Sequence, residues 1–112
     1  MSNDPTLWNY VSDTTEVYGD VPAAFETLVD LGTDYIFRRF MVYSTLDAPV
    51  IVRFQNPVSE VWSELEVPAP SGGAPGFSMV LDEFRHQGNI EWKRKASAPT
   101  AGEIKFVSWR GE

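Results

Sequence analysis

The sequence predicts an all-β protein: an antiparallel β-sandwich of jelly-roll or immunoglobulin-like type with an extended N-terminal arm. Three observations point there. Short apolar-alternating runs recur at spacings of about ten residues, Gly, Pro, Asn and Asp punctuate them, and no long segment keeps a helical period. A chain of 112 residues suits one core. Such a domain buries roughly 65% of the surface its unfolded chain exposes. The 43% hydrophobic and 13% aromatic content, with four Trp and seven Phe, gives that core bulk.

Residues 1–22 hold turn signals at Asn3-Asp4-Pro5, Tyr18-Gly19-Asp20 and Val21-Pro22. They also hold Leu7, Trp8, Tyr10 and Tyr18, which are costly to leave in water, so this stretch is expected to be an arm that docks. The sandwich proper is expected over 23–112. Ala23 to Leu31 carries helix punctuation in Pro22 and Gly32 but favours a strand through Thr27 and Val29. In the next run, Ile36, Phe40 and Val42 share a face with Arg38, while Phe37, Met41 and Tyr43 share the other with Arg39. After the Leu46-Asp47-Ala48-Pro49 turn, Val50, Val52 and Phe54 form the buried side of a strand expected to pair with the one before it. Residues 61–67 alternate Val61, Ser63, Leu65 and Val67 against Trp62, Glu64 and Glu66, a flexible PAPSGGAPG loop follows, and 77–84 is another strand. Ile90 and Trp92 face inward, as do Ile104 and Phe106, and the two runs read as a hairpin across the APTAG break.

Net charge is −7, and residues 1–34 carry Asp4, Asp13, Glu16, Asp20, Glu26, Asp30 and Asp34 against no Lys or Arg. Phosphate binding needs clustered cations, so nucleic acid is not the expected ligand. An acidic segment of this kind is either solvated or laid against a basic surface. There is no cysteine, so disulfides and thiolate metal sites are excluded. No run approaches the ~20 apolar residues of a membrane span, and no charged, apolar leader opens the chain, so a soluble, untargeted protein is expected.

Catalytic chemistry finds little support. His86, the only histidine, sits in Arg85-His86-Gln87-Gly88 and reads as a turn residue. No serine lies in a nucleophile elbow, and Glu64 and Glu66 fall on a face expected to be wet, where paired carboxylates are ordinary surface. Asp30 and Asp34 are too few for the oxygen shell of calcium, and Ser71-Gly72-Gly73 lacks the Lys and helix of a phosphate loop. Lys93, Arg94 and Lys95 split between two faces. No enzyme activity, catalytic residue, metal or cofactor is expected.

The excess is apolar. Phe37, Met41 and Tyr43 with Arg39, and Val107 with Trp109, lie on faces that alternation would send outward; Trp8 and Tyr10 add to them. Contiguous apolar and aromatic surface with Arg marks contact sites, and either a second layer or arm of the same molecule or a neighbouring subunit covers it. Trp62 and Trp109 are the candidate sugar-stacking rings of an alternative, a carbohydrate-binding module or tail-borne receptor binder. The order Leu31-Gly32-Thr33-Asp34-Tyr35, Leu46-Asp47-Ala48-Pro49-Val50, Val52-Arg53-Phe54, then Gly88 to Arg94 and Ala98 to Trp109, resembles small β-sandwich structural proteins of tailed bacteriophages. The resemblance spans residues 28–110 and rests on turn pattern. It implies a non-enzymatic virion protein, a head decoration (cement) subunit or a tail component, assembled in the host cytoplasm. Its implied partners are the major capsid protein or other virion proteins and sister copies, with no membrane.

Overall fold

The computed structural model describes residues 11–30, 36–87 and 89–109. Among these residues there are eight strands: β1 Val11–Val17, β2 Glu26–Asp30, β3 Ile36–Ser44, β4 Val50–Gln55, β5 Trp62–Val67, β6 Phe77–Gln87, β7 Asn89–Arg94 and β8 Glu103–Trp109. A single turn of 3-10 helix, Tyr18–Asp20, follows β1. All pairings are antiparallel and make two four-stranded sheets, the first in the order β1-β8-β3-β6 and the second in the order β2-β7-β4-β5. Strand 1 thus pairs with 8, 2 with 7, 3 with 6 and 4 with 5. That is one long antiparallel ribbon wrapped into two layers, which selects the jelly roll over the immunoglobulin-like alternative.

The core lies between the sheets and follows the alternation read from the sequence. Phe40, Val42, Ile104 and Phe106 project from the first sheet and Val50, Val52, Phe54, Val67, Ile90 and Trp92 from the second. Phe40 bridges the layers, edge-on to Phe54 with ring centroids 4.7 Å apart and stacked on Phe106 at 5.6 Å. Leu46 plugs one end from the β3–β4 turn.

Two expected pairings are corrected. β4 does not pair with β3, and β7 does not form a hairpin with β8: in both cases the turn carries the chain from one sheet to the other. Ile104 and Phe106 therefore meet Ile90 and Trp92 across the core and not along a shared sheet. Residues 23–31 contribute a strand, β2, whose register shifts between Thr27 and Val29, so that Leu28 and Val29 are both buried. Of the segment read as an arm, 1–10 lie outside the described residues; from Val11 onward it docks as the edge strand β1 along β8.

The crossover end is tied by backbone. Thr45 N–H donates to the Glu103 carbonyl at 2.8 Å, Asp47 N–H to the Ala101 carbonyl at 3.2 Å, and Tyr18 N–H to the Gly102 carbonyl at 3.0 Å. Asp47 Oδ1 accepts from Thr100 N–H at 2.7 Å, and the Thr100 hydroxyl donates to Oδ2. Gly102, with φ of 98°, sits in this knot, where an added β-carbon would run into the Thr45 carbonyl.

Candidate functional site

The outer face of the first sheet follows from the ladder register. One row across β1, β8, β3 and β6 holds Asp13, Val107, Met41 and Val80; the next holds Thr15, Lys105, Tyr43 and Ser78; and Trp109 pairs with Arg39 on the row toward the other end. Arg39, Met41, Tyr43, Val107 and Trp109, five of the residues expected at a contact surface, thus share one face. Tyr43 is 41% exposed and Val80 55%, Met41 and Trp109 are half-buried, and Val107 is buried at 8% exposure. The Tyr43 ring lies across Gly76, where a β-carbon would come within 2.8 Å of its Cε1 atom. Arg39 and Lys105 are exposed cations on this face.

Phe37 does not belong to it. The β3–β6 register shifts between Phe37 and Arg39, and this break in alternation turns Phe37 inward, to 1% exposure. Its ring stacks on His86 at 5.4 Å. His86 is not a turn residue: β6 runs on to Gln87, and the imidazole is fully buried beside Phe54 at 4.9 Å and Phe40 at 6.4 Å. The sole histidine is core. Trp8 and Tyr10 lie outside the described residues.

The second sheet's outer face carries a cluster that alternation alone did not reveal. Arg53, at the middle of β4, donates from Nε to Glu91 Oε1 at 2.8 Å and pairs with the same oxygen through Nη2. Its guanidinium lies 4.1 Å from the Phe25 ring centroid and 4.6 Å from that of Trp62, and Lys93 Nζ lies 4.9 Å from Phe25. Two aromatic faces with a cation held by a carboxylate form an electrostatically matched stack. Trp62 is engaged in it, on the opposite side of the sandwich from Trp109, so the two indoles cannot make one sugar platform. The exposed Lys95–Glu66 pair, 2.8 Å apart, extends the charged character of this face.

Among the described residues there is no group of three or more His, Cys, Asp or Glu able to hold a metal ion, and no helix long and apolar enough to cross a membrane. Burial and then the nearby Asp20 push the Glu16 carboxyl above its usual range. Hydrogen bonds from the Thr100 side chain and backbone hold Asp47 below it.

No protein-family model matches the chain, and no curated protein does. A solved structure does: a chain of a Bacillus endospore appendage, from a family of disulfide-linked pili, superposes with a TM-score of 0.50 at 14% identity, covering 93% of this chain and 88% of that one. At that identity the likeness is one of fold. This chain has no cysteine, so the disulfide linkage of those pili is closed to it.

Proposed function

We propose that the chain is a non-enzymatic structural subunit, and specifically a decoration subunit of a tailed-phage head that stabilises the shell by packing on capsid proteins and sister copies. The observation that carries this reading is the outer face of the first sheet, where Met41, Tyr43, Val80, Val107 and Trp109 lie between Arg39 and Lys105. Aromatic and aliphatic groups with Arg and few carboxylates form the composition of an interface centre. Burial of such a face favours the assembled particle over its parts, and many copies add avidity. The fold shared with a pilus subunit supports the structural class without favouring the head over a fibre.

Co-sedimentation with empty tailed-phage heads, together with native mass and negative-stain imaging of the purified chain, tests it. Head binding that is lost in Tyr43→Asp is the expected result. Fibres without head binding would keep the structural class and discard the decoration role; a monomer that neither assembles nor binds heads would discard both.

A further inference from the structure

The loop between β4 and β5 is built to a fixed shape by its own hydrogen bonds. Asn56 Oδ1 accepts from Val58 N–H at 2.8 Å and Ser59 N–H at 2.9 Å; the Asn56 carbonyl accepts from Glu60 N–H, and its N–H donates to the Val61 carbonyl, both at 2.9 Å. Gln55 Nε2 donates to the Glu60 carbonyl at 3.1 Å. Glu60 is held at φ 63°, in the left-handed region that costs a side-chain-bearing residue about 1 kcal/mol. What this frame displays is apolar. Val58 is 92% exposed and Val61 61% exposed, and Glu60 stands exposed between them.

The hydrogen bonds serve the β4–β5 turn, but holding its valines out in water serves nothing in a monomer. It serves the binding of a partner, because the ordering cost of the projection is already met before contact. The matching surface lies on the same chain: Tyr43 and Val80 open the apolar row of the first sheet, and Lys105 beside Tyr43 offers a cation to Glu60, which has no ion pair among the described residues. The strand directions put these at different places. β4 runs away from the short β3–β4 turn, so the 56–61 loop projects at the opposite end of the sandwich from that turn, whereas Tyr43 and Lys105 lie close to it.

We propose that copies of this chain associate head to tail, the Val58–Val61 projection of one seating on the Tyr43, Val80 and Lys105 surface of the next. This rests on the structural-subunit reading and names its partner as a second copy. Donor and acceptor are different surfaces at different ends, so the contact is heterologous and repeats, as a file or a closed ring.

Sedimentation equilibrium of the full chain and of Val58→Asp and Val80→Asp reads it directly. Both sites are exposed, and thermal melts of the variants serve as the folding control. The wild type should associate with rising concentration, and each variant should weaken that association roughly 10- to 100-fold, the value of one buried valine side chain. Mixed one to one, the two variants should form a dimer and nothing longer, since only one intact donor and acceptor remain. Glu60→Lys and Lys105→Glu should each weaken association several-fold, and the double variant should recover it. Wild-type-like association of Val58→Asp, or failure of the charge reversal to recover, overturns the contact while leaving a self-associating subunit. A wild type that stays monomeric yet sediments with heads also overturns the contact and leaves the decoration role intact.

Discussion

Replacing Gly102 by Ala should cost far more than the same change at Gly73 or Gly19. At φ 98° a β-carbon is already disfavoured, by about 1–2 kcal/mol. Here it would also stand 2.5 Å from the Thr45 carbonyl carbon and 2.8 Å from Leu46 N, and closer still to the Thr45 oxygen. The obstacle is backbone, which cannot swing away as a side chain would. Relief requires the β3–β4 turn to part from the start of β8, which weakens the Thr45–Glu103, Asp47–Ala101 and Tyr18–Gly102 hydrogen bonds. At about 1 kcal/mol for each bond lost, two of them added to the dihedral cost give a loss of roughly 3–4 kcal/mol. That is a large fraction of the 5–15 kcal/mol typical of a domain. Gly73→Ala supplies the control: its φ is 80° but nothing lies within 4 Å of the added carbon, so it should lose only about 1–2 kcal/mol. Gly19→Ala, with open space and no positive φ, should be close to neutral. Urea unfolding followed by tryptophan emission measures all three. If Gly102→Ala unfolds within about 1 kcal/mol of Gly73→Ala, the close approach at Thr45 does not constrain the protein and the reasoning fails.

Three further outcomes are expected. Arg53→Ala should lose about 1–2 kcal/mol through the Glu91 pair and the Phe25 and Trp62 stacks, and Arg53→Lys should recover less than half of it, since an ammonium cannot stack or fork; urea melts decide this. Glu16→Gln should raise Tm slightly at pH 7, because a carboxyl whose folded pKa is raised by burial and by Asp20 weakens the fold once ionised; the gain should close as pH falls below the unfolded value of 4.5, where the wild-type group becomes protonated in both states. Asp47 has the opposite sign: its folded pKa is lowered by Thr100, so its contribution is present above the unfolded value of about 4 and lost as pH drops through the folded one. The Tm difference between wild type and Asp47→Ala should therefore be flat from pH 5 to 8 and shrink below about pH 4.

Much of the sandwich is legible in single residues, and little of it in pairs. Val50, Val52 and Phe54, Ile90 and Trp92, and Ile104 and Phe106 alternate cleanly and are all buried, because a strand covered on one side must send every second residue to the core. The same alternation is satisfied whichever sheet the strand joins. The Leu46–Pro49 turn and the APTAG break therefore suggested hairpins where the chain changes layer, and only the wrapped ribbon decides the matter. Phe37 was misplaced by carrying a period of two through a register shift that leaves no composition signal. His86 was misplaced because Arg85, Gln87 and Gly88 dress the end of β6 as a turn. Val80 is hidden in the apolar run Met79-Val80-Leu81, whose phase is fixed only by its pairing with Met41. The Arg53 stack depends on Phe25, which comes from before β2, two strands away in the second sheet, and no local pattern joins them.

The wrapped ribbon also governs the time course of folding. Only β4 and β5 are joined by a short loop within one sheet; each successive partner pair, 3 with 6, 2 with 7 and 1 with 8, encloses a longer stretch of chain. Loop-closure entropy rises with that enclosed length, so pairing is expected to begin at the β4–β5 turn and zip outward, with β1 and β8 meeting last and the whole process falling in the millisecond-to-second range of high-contact-order proteins. The Asn56 side chain that props Val58 outward is thus also the brace of the first turn to close, and its loss should slow folding as well as soften the projection.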